Sequence, residues 1–85
     1  MAFELVQEAI KTEAMRLNYS LSLAQKSLTK FEKKYNITSE KFITEWAAED
    51  LDGKDMEYVE WAGEYNLASR LSERLDTLAG IKYVS

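Results

Sequence analysis

From Phe3 to Tyr35, apolar or small side chains return with an alternating step of three and four residues. Phe3, Ile10, Ala14, Leu17, Leu21, Ala24, Leu28, Phe31 and Tyr35 all fall on this series, and only Gln7 interrupts it. That spacing lines up along one side of an α-helix and along no side of a strand, so it predicts one long helix. At ~1.5 Å per residue such a run makes a rod of roughly 50 Å, longer than a globule of this chain length is wide. A rod of that length needs partners along its seam. Glu4 and Glu8 suit the positive end of its dipole, and Lys30, Lys33 and Lys34 the negative end. Glu4, Glu8, Lys11, Thr12, Lys26, Thr29, Lys30 and Lys33 fall off the seam and are expected to face water.

The remaining chain reads as two further helices. Asn36, which tolerates the left-handed conformation, follows the last seam position and predicts the end of a helix over about 2–35. In Ile37-Thr38-Ser39-Glu40-Lys41-Phe42, Thr38 is the expected cap of a helix over about 38–50, with Ile37 and Phe42 as a hydrophobic staple across it. Asp50-Leu51-Asp52-Gly53-Lys54-Asp55 has the composition of a turn. A third helix is expected over about 55–79, with Tyr58, Ala62, Tyr65, Ala68, Leu71, Leu75 and Leu78 on one side, widened by Val59, Trp61 and Leu67. Gly80 is placed to close it in a left-handed conformation, with Ile81 folding back on Leu75 and a short tail over 80–85. Proline is absent and there are three glycines, as a helical chain requires. The expected architecture is all-α: one domain over 1–85, a long antiparallel helical hairpin with a short intervening helix near Tyr35. Its stripes are wide and aromatic-rich for a single hairpin, which points to a helical bundle built as a homodimer or with another protein.

Composition removes several chemistries. With no cysteine and no histidine there is no thiol nucleophile, imidazole base or thiolate metal site. The acids Asp50, Asp52, Asp55 and Glu57 invite a calcium loop, but counted from Asp50 the glycine falls at position four and the twelfth residue is Trp61, against the required six and glutamate twelve. The pairs Glu45 with Glu49 and Glu60 with Glu64 lie one turn apart, yet carboxylate metal sites in helical bundles add a histidine. No catalytic set, metal or cofactor is therefore expected, and the chain reads as non-enzymatic. Without a membrane-length apolar run or a signal peptide pattern, it reads as cytoplasmic and not membrane-bound.

The net charge of −4 is unevenly spread. Residues 1–35 carry +2 and residues 67–85 carry +1, whereas residues 36–66 carry nine acids against two lysines, for −7. An acidic centre repels nucleic acid and attracts a basic protein surface. Lys26, Lys30, Lys33 and Lys34 complement a helix end more simply than they bind nucleic acid. Trp46, Trp61, Tyr58, Tyr65 and Tyr83 lie among or after these acids, and Trp and Tyr are the residues that most often anchor interfaces.

Phe31-Glu32-Lys33-Lys34-Tyr35, then Thr38-Ser39-Glu40-Lys41-Phe42, then the acidic turn, then Asp55-Met56-Glu57-Tyr58-Val59-Glu60-Trp61-Ala62-Gly63-Glu64-Tyr65 and a helix with Arg70-Leu71 and Leu75 form an ordered set. Over about residues 28–80 this set resembles small helical antitoxin-like proteins of prokaryotic toxin–antitoxin operons. The resemblance implies neutralisation by binding: an acidic, aromatic helical surface covering the basic active face of a small toxin, many such toxins being RelE-like ribonucleases. The expected partner face comprises Trp46, Glu49, Asp52, Asp55, Glu57, Glu60, Trp61, Glu64 and Tyr83. The competing expectation is a self-assembling homo-oligomer in which the stripes pack against their own copies.

Overall fold

A computed structural model describes residues 2–46 and 56–84, with side chains through Ile81. Helix α1 spans Ala2–Tyr35, α2 is the short turn Ser39–Lys41 continued by a π-helical turn over Phe42–Trp46, and α3 spans Met56–Val84. Among the described residues there is no strand. The long helices α1 and α3 pair side by side, and α2 with its π-turn closes the end near Tyr35, giving the all-α hairpin with a short intervening helix that the periodicity predicts.

The seam behaves as its spacing requires. Leu17, Ala24 and Phe31 are buried, and Ile10, Ala14, Leu21, Leu28 and Tyr35 are half-buried along the same side. On α3, Trp61, Ala62 and Leu71 are buried, and Tyr58, Tyr65, Ala68, Leu75 and Leu78 half-buried. Phe3 departs from the expectation. It is 52% exposed, because the two helices alone leave the first turns of α1 without a covering layer.

The chain reversal after α1 is made by Asn36 at φ 56°, in the left-handed region. The Ile37 amide then donates to the Glu32 carbonyl at 3.3 Å, the six-to-one bond of a Schellman closure. Thr38 caps α2, its hydroxyl accepting from the Lys41 amide at 3.2 Å. Ile37 and Phe42 meet in the same apolar cluster, as the staple predicts.

Two expectations are corrected. The second helix is α-helical only over Ser39–Lys41 and widens to a π-turn at Phe42–Trp46, where the Thr44 hydroxyl donates to the carbonyls of Glu40 and Lys41 at 3.0 and 3.2 Å. Residues 47–50, in its expected continuation, lie outside the described residues, as does the acidic turn up to Asp55. The third helix does not close at Gly80: it continues to Val84, and no described glycine has a positive φ. Up to this point the helix lies along α1, where Leu75, Leu78 and Ala79 line the same groove as Gln7 and Ile10. Ile81, expected to fold back, is 45% exposed.

Gly63 and Gly80 therefore sit inside a helix, and a Cβ at either would meet nothing within 4 Å. Helix propensity then decides the effect. Gly63→Ala and Gly80→Ala should each stabilise the fold by about 0.5–1 kcal/mol, read as a higher urea midpoint at unchanged slope.

The molecule is an elongated 55 × 19 × 19 Å body with a radius of gyration of 16.6 Å, where a compact chain of this length would have about 12 Å. Its accessible surface is 6530 Å², against about 5,200 Å² for a typical folded monomer of its mass. Leu5, Val6, Met15 and Tyr19 are all more than half exposed.

Candidate partner-binding site

Of the expected partner face, Trp46, Glu57, Glu60, Trp61 and Glu64 lie toward the closed end of the hairpin, and the structure divides them. Trp61 is fully buried and is the centre of the core, so as the chain stands it offers no surface to a partner. Its ring stacks on Phe42 at 3.9 Å between centroids with an interplanar angle of 3°, and on Phe31 and Tyr35, each at 5.5 Å. The indole N–H donates to the Ser39 Oγ at 2.9 Å, and Ser39 is itself 1% exposed. The Ser39 amide in turn donates to the Glu32 Oε2 at 2.7 Å. Helix α1, the α2 cap and α3 are thus tied through one indole.

Glu57 is also drawn inward in function. Both of its carboxylate oxygens accept from the Lys34 Nζ, at 2.6 and 2.8 Å, and Oε2 accepts from the Tyr35 hydroxyl at 3.0 Å. The Lys34 and then the Tyr35 hydrogen bonds hold its carboxyl below the usual range. A carboxylate whose folded-state pKa is depressed contributes stability that is present above its unfolded value and lost as pH falls through the folded one. Because the group is exposed, the effect is small. Glu57→Gln should lower neutral stability slightly and remove the equally small loss that the wild type undergoes as pH falls below about 4.3, as followed by urea midpoints across pH.

The other expected residues fall into three places. Glu60 is exposed and Glu64 half-buried on α3, and Trp46 is half-buried, packed against the core cluster with its ring 6.3 Å from Tyr35 and 6.0 Å from Tyr58. Glu49, Asp52 and Asp55 lie outside the described residues, and the side chain of Tyr83 does too. Glu40 and Glu45, which are not among the expected face residues, are exposed on the α2 side of the same end. Their signal was available, since both belong to the −7 segment.

Among the described residues no group of three potential metal ligands comes together. No described helix is long and apolar enough to cross a membrane. At the opposite, open end a groove of about 470 Å³ runs between α1 and α3, lined by Ile10, Ala14, Asn18, Leu75 and Leu78 with Gln7, Lys11 and Ala79. Its polar groups are an amine and two amides, with no carboxylate or hydroxyl among them.

Several of the residues quoted for the antitoxin resemblance have structural work in this geometry. Phe31, Phe42 and Trp61 form the stack, Glu32 and Ser39 the hydrogen-bond chain, Thr38 the cap, and Lys34, Tyr35 and Glu57 the outer clasp. No protein-family model, no curated protein and no solved structure matches this chain.

Proposed function

We propose that this chain is an antitoxin-like, non-enzymatic binding protein of the cytoplasm that neutralises a small basic toxin by covering its active face. The observation that supports the reading is the set of acids at the closed end: Glu40, Glu45 and Glu60 are exposed around the aromatic core, within a segment of net charge −7, while Lys30, Lys33, Lys34 and Lys41 are exposed at the same end. An acidic segment suits rapid capture of a basic surface, and Trp46 supplies an aromatic edge beside it. The open-end groove is lined mainly by apolar side chains with one amine and two amides, a lining suited to binding. The face in this reading is Trp46, Glu40, Glu45, Glu60 and Glu64, and Trp61 and Glu57 build it from within; Tyr83, about 28 Å farther along α3 at the open end, is not part of it.

The reading requires a small basic protein encoded beside this gene, and the test is co-expression with that protein; the absence of such a neighbour overturns the reading. The expected result is rescue of growth and co-purification that weakens as salt rises, because charge attraction between exposed groups is screened. The triple variant Glu40→Lys, Glu45→Lys, Glu60→Lys should lose rescue while remaining helical. Rescue by that variant, or a neighbouring protein that does not bind, overturns the reading.

A further inference from the structure

The outer side of α1 carries a second apolar line that the hairpin does not use. Met15, Tyr19 and Leu23 recur every fourth residue and are 66%, 68% and 47% exposed. Two residues separate Leu17 from Tyr19, a turn of about 200° around the helix, so this line faces away from the buried Leu17. Helix α1 is therefore apolar on two opposite sides, as is a helix held between two neighbours, and α3 covers only one of them.

We propose that the outer side of α1 is a homodimer interface in which two copies pair antiparallel about a two-fold axis through Tyr19. The choice of a second copy rests on self-complementarity. Helix α1 runs from Ala2 to Tyr35, so Tyr19 lies at its middle and antiparallel pairing there overlaps the two helices along their whole length. In that register Tyr19 meets its own copy, Met15 meets Leu23, and Glu8 meets Lys30. The last two are exposed on the same outer side, one near each end of the helix. A two-fold interface must present one patch that fits itself, and acids toward the N-terminus with lysines toward the C-terminus do so only when the helices run opposite ways. A parallel pair would set Glu8 against Glu8 and Lys30 against Lys30.

The area agrees. A standard interface takes about 800 Å² from each partner, and α1, about 50 Å long from Ala2 to Tyr35, presents a strip long enough to supply it. The pairing leaves α3 on the outside and sends the two closed ends to opposite ends of the rod. It is independent of toxin binding, and either property stands if the other fails.

Sedimentation equilibrium of the full chain tests it. The wild type should have the mass of two chains. Tyr19→Glu, a change at a highly exposed position that sets two carboxylates face to face, should weaken dimerisation on the order of 30-fold or more with an unchanged helical spectrum. Glu8→Lys and Lys30→Glu should each weaken it several-fold, and the double variant should recover it. The chain has no cysteine, so Tyr19→Cys gives a single thiol that should form a disulfide dimer on mild oxidation, whereas Phe3→Cys should not. A monomer at all concentrations, a dimer indifferent to Tyr19→Glu, or a charge-swapped double variant weaker than both singles overturns the proposal.

Discussion

Replacing Trp61 by alanine should lower stability by about 3–5 kcal/mol, the cost of a deleted core aromatic. A domain of this size has about 5–15 kcal/mol in total, so the variant should be partly unfolded at room temperature or fully unfolded well below the wild-type midpoint. The reason is the number of elements that meet on this ring. Phe31 and Tyr35 come from α1, Phe42 from the π-turn, and all three stack on the indole. Trp61→Phe separates the two components of the loss. It keeps an aromatic face but removes the N–H that donates to Ser39, leaving a hydroxyl that is buried to 1% without its donor. An unpaired buried polar group costs about 1–3 kcal/mol, and that range is the expected loss for Trp61→Phe. Urea titration followed by far-ultraviolet circular dichroism measures both. An alanine variant within 1 kcal/mol of wild type would contradict the arrangement.

Phe42→Ala should cost about 3–5 kcal/mol as well, and its effect should be strongly non-additive with that of Trp61→Ala. Phe42 has no exposed surface and lies nearly parallel to Trp61, with Tyr58 edge-on at 5.3 Å and Trp46 at 6.2 Å. Its loss removes the main apolar anchor of the short α2 and π-turn segment, while α1 and α3 keep their own contacts at Leu17, Ala24 and Leu71. The double variant should therefore lose less than the sum of the singles by about 0.5–3 kcal/mol, since either change alone already breaks the shared stack. Independent, additive losses in this double-mutant cycle would mean that the two rings do not act as one unit.

Much of this fold was legible before any coordinates. The three-and-four spacing from Phe3 to Tyr35 identified the face that buries Leu17, Ala24 and Phe31, and local chemistry marked Asn36 and Thr38 as the stop and start around the reversal. Local signals failed where a distant neighbour decides. Gly80 has the look of a helix end, but α1 lies alongside and the helix runs on. The π-turn at Phe42–Trp46 has no composition signature and depends on where Phe42 must reach to stack on Trp61. Trp61 itself looked like an interface anchor because tryptophan near acids often is one. Its burial follows from a partner that sequence spacing cannot reveal, a serine twenty-two residues away that accepts the indole proton. The acids were legible as a cluster but not as individuals. Glu32 and Glu57 are consumed by internal bonds, while Glu40, Glu45 and Glu60 remain at the surface.

The lopsided core makes the molecule a clothes-peg, sprung at one end. Aromatic mass is gathered at the closed end, while Phe3 and Val6 at the far tip are more than half exposed. Backbone amides near that tip can open by local fraying, whereas those around Phe31 and Trp61 exchange with solvent only when the whole structure comes apart. Protection against hydrogen exchange should therefore rise along α1 from its first turns toward the hinge.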